Sequence, residues 1–298
     1  MLDARLTAAA LPWGALADEI ATLLHDPAVQ VPARLVQPLP GGGSLFVMPA
    51  LDARVAITKL ITFTPGNSGT GRATIQGDVV VFDVATGERR LILHGPTVTA
   101  RRTAAVSLLA AQRLAPNLTG PLLVVGAGVQ GLAHLEAFAD GLGVREVWVS
   151  SRSEASAARL VQHAQALGLR SQVVSDPNAA LAHCPLTVTC TPASAVVLTA
   201  TPRDDAFVCA VGAFTPNMVE LGSRLCRHMA EVGTVVVDTP DAQHEAGDLL
   251  QAGLAVAGFA SLADVVNQKG PAVQGPVLFK SCGWAGWDLA AARLAMPA

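Results

Sequence analysis

The 298-residue sequence contains no tyrosine. A phenol cannot serve as general acid here, which excludes the Tyr-Lys chemistry of short-chain dehydrogenases. Charge is scarce as well: 14% of residues are charged against 51% hydrophobic, so a large buried core is available and disorder is excluded. A net charge of −3 leaves no basic footprint for nucleic acid. No apolar run approaches the ~18–20 residues of a membrane span. The early charges of MLDARLTAAALPWG make it a poor secretory signal. The five cysteines, Cys184, Cys190, Cys209, Cys226 and Cys282, form no CxxC pair and no zinc-like grouping with histidine. They are expected to be reduced thiols of a cytoplasmic protein that holds no metal.

What is present changes character along the chain. Apolar spacing at Leu16, Ile20, Leu23 and Leu24 predicts an amphipathic helix within Leu11–His25. Short β-like runs follow at Arg34–Pro38, Ser44–Met48, Arg54–Phe63, Thr74–Asp83 and Arg90–His94. The turn chemistry between them (PGGGS, TPGNSGTG, ATGE) predicts a mostly antiparallel sheet. An alanine-rich helix is expected at Thr97–Leu114. After Pro121, strands and helices alternate: Leu122–Val125, Val129–Gly141, EVWVSS, Glu154–Leu167, then apolar runs at Leu186–Cys190, Phe207–Val211 and Thr234–Val237. The expected class is α/β, a Rossmann-type doubly wound parallel sheet plus a smaller α+β domain. Residues 114–276 are assigned to the parallel domain. Residues 1–113 and 277–298 are assigned to the other, with Pro276–Lys280 and the helical AGWDLAAARLA returning to it.

Gly126-Ala127-Gly128-Val129-Gln130-Gly131 matches GxGxxG directly after a strand and at the start of a helix. Gly126 permits the sharp turn, Gly128 lets a pyrophosphate approach the helix N-terminus, and Gly131 permits close helix–strand packing. The next strand ends in Ser150-Ser151-Arg152, with no acid until Glu154 to bind ribose hydroxyls. Serines with a guanidinium suit a 2′-phosphate, so NADP(H) is the preferred cofactor, with NAD(H) as the alternative.

Of the 20 Lys+Arg residues only Lys59, Lys269 and Lys280 are lysines. Period-two alternation puts Lys59 on one face with Val55, Ile57 and Ile61, where an ammonium needs an anion; an exposed edge lysine is the plainer alternative. Arg34 lies on another predicted strand. Arg101 and Arg102, near a helix start, oppose its dipole unless an anion is near.

Together these segments match a pattern. Lys59–Asn67 (KLITFTPGN) resembles the K-x-V-x-x-x-P-x-N segment of the ornithine cyclodeaminase/μ-crystallin family. Val81–Gly87 is similar to that family's L-x-D-x-x-T-G strand and turn, and Val98–Ala105 to its L-T-x-x-R-T-A-A helix start. Gly126–Gly131, Val236–Asp238, Glu245–Asp248, Phe279–Gly283 and Asp288–Ala290 follow in order, so the resemblance covers nearly the whole chain. It implies that Arg34, Lys59 and Arg102 clamp a substrate α-carboxylate, with Thr74 near the same pocket. It further implies that Thr191 and Ser281 line the nicotinamide pocket, with Val211 among the cofactor-binding residues, and that the N-terminal sheet makes a homodimer. Three cations and an organic acid would satisfy one another's desolvation.

Where cyclodeaminases of the family carry G-A-D, this chain has Gly212-Ala213-Phe214. A phenyl ring accepts no proton, so ornithine cyclisation is not expected. The nearby carboxylates Asp204 and Glu220 are taken as a turn and a helix residue. A carboxylate clamp, a hydride donor and an apolar lid suit reduction of cyclic ketimine acids: 1-pyrroline-2-carboxylate to proline, or 1-piperideine-2-carboxylate to pipecolate. Phe214 would exclude water and pack on the ring methylenes. The alternatives are an ornithine cyclodeaminase or amino-acid dehydrogenase, or a μ-crystallin-like binding protein without turnover. A hydroxyacid dehydrogenase needs a histidine–carboxylate pair. His134, His163 and His244 are expected to be solvated helix residues, which leaves His94; Trp284 and Trp287 are expected to pack the last helix. The expected partner is a small cyclic imino acid, with no nucleic acid and no membrane.

Overall fold

The computed structural model describes residues 1–67 and 70–296, and the chain divides into two units, Met1–Thr103 with Trp284–Ala298, and Ala104–Gly283. In the first unit Asp3 caps a short helix α1 (Ala4–Ala9) by accepting from Leu6 N at 2.8 Å. Helix α2 (Trp13–His25) buries Leu16, Ala17, Ile20 and Leu23, close to the face its spacing predicts. Strands β1 (Leu35–Leu39), β2 (Gly43–Leu51), β3 (Val55–Phe63), β4 (Ile75–Asp83) and β5 (Arg89–His94) then pair antiparallel in sequence order. On β3 Val55, Ile57, Lys59 and Ile61 are buried while Leu60 is exposed, as period-two alternation requires. Helix α3 (Gly95–Leu114) begins in this unit and ends in the next.

The second unit alternates strands and helices. In chain order these are β6 (Leu122–Val125), α4 (Val129–Gly141), β7 (Glu146–Ser150), α5 (Glu154–Ala166), β8 (Arg170–Val173), α6 (Pro177–Leu181), β9 (Leu186–Thr189), β10 (Ser194–Leu198), β11 (Phe207–Ala210), β12 (Val219–Leu221), α7 (Ser223–Val232), β13 (Thr234–Val237), α8 (Ala242–Glu245), α9 (Gly247–Gln251), β14 (Ala260–Ser261), α10 (Leu262–Val266) and β15 (Val277–Lys280). Eight strands form one parallel sheet in the order β14-β13-β15-β11-β9-β6-β7-β8. Every residue of β6, β9, β11, β13 and β15 is buried, so burial along these strands is continuous rather than alternating, and the polar members Thr187, Thr189, Thr234 and Lys280 are buried with the rest.

The expected boundaries need correction on both sides. β15 hydrogen-bonds between β11 and β13, so Val277–Lys280 belong to the parallel sheet, and residues 281–283 fall with them in the second unit and not the first. The second half of α3 also falls in the second unit. The last helix, α11 (Ala285–Ala295), does return to the first unit, packing on α2, β2 and β3, and its Arg293 pairs with Asp26 and Asp52. Among the described residues no helix is long and apolar enough to cross a membrane. No His/Cys/Asp/Glu group among them could hold a metal ion, and all five cysteines are free.

Candidate active site

In the first unit, β3 turns Lys59 to the covered face, opposite Met48 on β2 and Val79 on β4. Its Nζ is buried and donates to Asp288 Oδ1 at 3.1 Å and Oδ2 at 3.4 Å. Arg102 Nε lies 3.5 Å from the same Oδ1, buried and without a hydrogen-bond partner. Burial pulls Lys59 down to about 8; Asp288 opposes that shift, and the charges of Arg102 and Arg34 add to it. The three cations named from the sequence therefore feel one another at Lys59. Asp288 is the member that sequence reasoning gave no role, although a lone acid in the first turn of an apolar helix was its signal.

The other candidates of this unit separate. Arg101 donates from Nη1 to Leu11 O at 2.8 Å and lies over the Trp13 ring at 4.1 Å, a packing role. Thr74 precedes β4, its carbonyl accepting from Thr64 N at 2.8 Å. Thr64 is five residues along the chain from Lys59, which puts Thr74 roughly 16 Å down the ladder at ~3.3 Å per residue. His94 Nδ1 stands 2.8 Å from the Thr97 hydroxyl and so has a hydroxyl there in place of a carboxylate. Trp287 is fully buried and meets Trp284 edge-on at 4.8 Å, in keeping with packing.

In the second unit the remaining candidates gather at the carboxyl ends of β6, β7, β9, β11 and β15. β7 lies on one side of β6 and β9 on the other, the strand-order reversal beside which such sheets bind ligands. Gly126 has φ +114°, and a Cβ on it would fall 2.7 Å from Cys190 O. A Cβ on Gly131 would fall 2.0 Å from Gly126 O. Gly128 differs: it opens α4 with no side-chain cap, and a Cβ there would meet nothing within 4 Å. A helix N-terminus without a side-chain cap, with open space beside its capping glycine, fits the pyrophosphate of a dinucleotide. Val129 is exposed and Gln130 half-buried in the same turn. Ser150 is buried, its carbonyl accepting from Gly126 N at 2.8 Å; Ser151 is half-buried and Arg152 exposed.

Along the rim, Thr191 donates from N and Oγ1 to Glu220 Oε1 at 2.7 and 2.8 Å. Val211 N donates to Thr189 O at 3.0 Å. Ser281 Oγ donates to Asp238 Oδ2 at 2.9 Å, and the same oxygen accepts from Cys282 N and Gly283 N. Phe214 is half-buried and leans on the apolar cluster that includes Leu221, Val237 and Leu249. Two expectations fail here. Glu220 lies on β12, fully buried, and is no helix residue. His134 is no solvated residue: it is fully buried, with Nε2 2.9 Å from Ser107 Oγ and Nδ1 2.7 Å from Gln130 O, because the C-terminal half of α3 covers it. His163 is partly exposed and pairs with Glu136 at 2.9 Å.

A family model described as the ornithine cyclodeaminase/mu-crystallin family matches residues 14–296. The chain is 39% identical to Delta(1)-pyrroline-2-carboxylate reductase 1 of Burkholderia multivorans, over 100% of this chain and 95% of that protein. It is 34% identical to ketimine reductase mu-crystallin of Mus musculus, over 90% of this chain and 85% of that one. In fold it is similar to Thermococcus litoralis Delta(1)-pyrroline-2-carboxylate reductase, solved with NADH and L-proline, at a TM-score of 0.86 and 23% identity over 94% and 91% of the two chains. This chain belongs to the ornithine cyclodeaminase/mu-crystallin family.

Proposed function

We propose that the protein reduces cyclic ketimine acids, 1-pyrroline-2-carboxylate to proline and 1-piperideine-2-carboxylate to pipecolate, using a reduced nicotinamide dinucleotide held at Gly126–Gly131. The observation that carries this is the Lys59–Asp288–Arg102 cluster. Two buried cations share one carboxylate, and Arg102 Nε has no hydrogen-bond acceptor. A substrate carboxylate supplies that acceptor and lessens the electrostatic burden on Lys59. The named activities of the Burkholderia and mouse relatives point the same way.

Bound reduced nicotinamide supplies hydride. The chain's own groups bind and orient: Arg34, Lys59 and Arg102 fix the carboxylate, which leaves the adjacent imine carbon as the electrophile. The imine nitrogen arrives protonated, so the reaction needs no tyrosine or histidine acid. Phe214 excludes water on the apolar side. A cyclodeaminase reading is disfavoured because Phe214 carries no base and both oxygens of nearby Glu220 are already taken by donors from Thr189, Thr191 and Gly212.

Ser151 and Arg152 favour NADP(H) over NAD(H). The first unit is then the substrate-binding and dimerisation unit and the second the dinucleotide unit. The sheet face opposite Lys59 supports a homodimer, since Leu35 and Leu60 on it are exposed and Leu45, Val47, Val80 and Ile92 only half-buried. Five free thiols suit the cytoplasm. The test is NADPH oxidation by purified protein with the two cyclic imine acids, set against NAD reduction with ornithine or alanine. Turnover of the open-chain amino acids alone, or none at all, rejects the proposal.

A further inference from the structure

The loops that follow β9 and β11 are tied together by charged groups that hydride transfer does not use. Glu220, fully buried on β12, accepts from Thr189 Oγ1 at 3.0 Å, Thr191 N at 2.7 Å, Thr191 Oγ1 at 2.8 Å and Gly212 N at 2.7 Å. Both its oxygens are filled, from two different loops. The N–H groups of Glu220 and Leu221 donate to Asp248 Oδ1 at 2.6 and 2.8 Å, and Asp248 Oδ2 lies 2.9 Å from Lys280 Nζ. Lys280 in turn donates to Ala213 O at 2.6 Å. The Gly212-Ala213 step that leads into Phe214 is thus held at its N–H by Glu220 and at its carbonyl by Lys280.

Two further observations mark the same place. Thr191 Oγ1 accepts from Ala193 N at 3.1 Å, and Ala193 sits at φ +53°, a left-handed conformation that alanine seldom adopts. A Cβ on Gly212 would fall 2.4 Å from both Glu220 Oε1 and Thr191 O, so the carboxylate and the two loops close on one another. Withdrawing these charges from water is something an apolar set of equal volume would avoid; what the charged set adds is directional bonds to defined backbone atoms. Burial raises Glu220 above the usual carboxylate range, and Lys280 foremost opposes that rise.

We propose that Glu220, backed by Asp248 and Lys280, is the positioning residue that sets where Phe214 stands, and thereby the ring size of imine acid the pocket accepts. This rests on Phe214 being a pocket residue, as the preceding section reads it. Glu220 touches no substrate; it acts through Gly212 and Thr191.

The ratio of kcat/KM for 1-pyrroline-2-carboxylate to that for 1-piperideine-2-carboxylate tests this, because loss of folded protein lowers both and leaves the ratio unchanged. A single methylene in an apolar pocket discriminates by roughly tenfold to 200-fold, so there is room for movement. Glu220→Gln sets an amide donor against a backbone N–H and is expected to move the ratio at least about fivefold. Thr189→Val removes one of the four bonds and moves it the same way by less. If Glu220→Gln does not fold, Thr189→Val and Thr191→Val decide. An unchanged ratio in the folded variants overturns the proposal. If the wild type reduces neither acid, the functional reading has failed separately, and amide hydrogen exchange at 190–193 and 211–214 becomes the test. Faster exchange confined to those segments in Thr189→Val supports positioning by Glu220, and exchange equal to wild type overturns it.

Discussion

Asp288 Oδ1 stands 3.1 Å from Lys59 Nζ, joining the last helix to the third strand across 229 residues of sequence. Because Arg102 leans on the same oxygen, the two ends of this bond are not equivalent. Lys59→Met leaves Arg102 and Asp288 to pair and should fold. It should keep NADPH affinity and raise KM for the imine acid at least about 30-fold, the ~2 kcal/mol of a charged hydrogen bond. Asp288→Leu leaves two buried cations without a carboxylate and should cost about 3–5 kcal/mol of stability. Thermal melts and KM measured on both variants check the asymmetry; a stable Asp288→Leu protein with wild-type KM would contradict it.

Lys59 also sets a pH dependence. Its value of about 8 in the folded protein lies below the ordinary 10.5 because burial, Arg102 and Arg34 outweigh Asp288. Between those two values the unfolded chain still holds a proton that the folded one has lost, so this group makes stability rise with pH across that window. Below 8 both states hold it and the full penalty, about 3 kcal/mol, is present. In the proposed clamp substrate binding runs the other way, since a carboxylate needs the ammonium. The kcat/KM profile should therefore fall above pH about 8, and Lys59→Arg should carry that limb upward. A profile unchanged by the arginine would assign the limb to another group.

How far these groups were legible depends on the range of their partners. Lys59 announces itself locally, as a lone charge on the apolar face of a strand, and Gly126–Gly131 does so through strand, turn and helix in immediate succession. Asp288 and Glu220 do not, because each is defined by groups distant in sequence that the chain brings to it only on folding. The strand β15 was misplaced for a related reason: four buried residues with no alternation carry no record of which sheet they enter. His134 sits on a helix whose solvent side cannot be told from spacing until the end of α3 covers it.

The glycines of the turn separate folding from binding. Gly131→Ala forces a methyl to 2.0 Å from Gly126 O, and the helix must back away from the strand. A loss of about 2 kcal/mol or more is expected, as for overpacking. Gly128→Ala meets nothing in the protein, so its denaturant midpoint should stay near wild type while dinucleotide affinity drops at least about tenfold where the pyrophosphate approaches. Urea melts with NADPH titration by fluorescence read both; equal effects of the two substitutions on stability would refute the distinction.

Arg152 is exposed two residues beyond the end of β7, and the proposed preference for NADP(H) gives it the 2′-phosphate to bind. Arg152→Ala should raise KM for NADPH about tenfold, a charge-assisted bond of ~1.4 kcal/mol, and leave KM for NADH unchanged. Equal losses with the two cofactors would remove the guanidinium from phosphate recognition.

The buried His134 predicts acid sensitivity from the helix behind the glycine turn. With Nδ1 against Gln130 O and Nε2 against the Ser107 hydroxyl, burial pushes the ring down to about 4 from the ordinary 6.5. Between those values the unfolded chain binds a proton and the folded chain does not, so stability is lost as pH falls through that window. The loss amounts to up to about 3 kcal/mol when it is complete. Gln130 belongs to the first turn of α4, so acid should loosen dinucleotide binding together with the fold. His134→Gln keeps a donor and an acceptor but has no proton to gain. Its urea midpoint should decline less than that of the wild type between pH 7 and pH 5, and parallel declines would place the acid-sensitive group elsewhere.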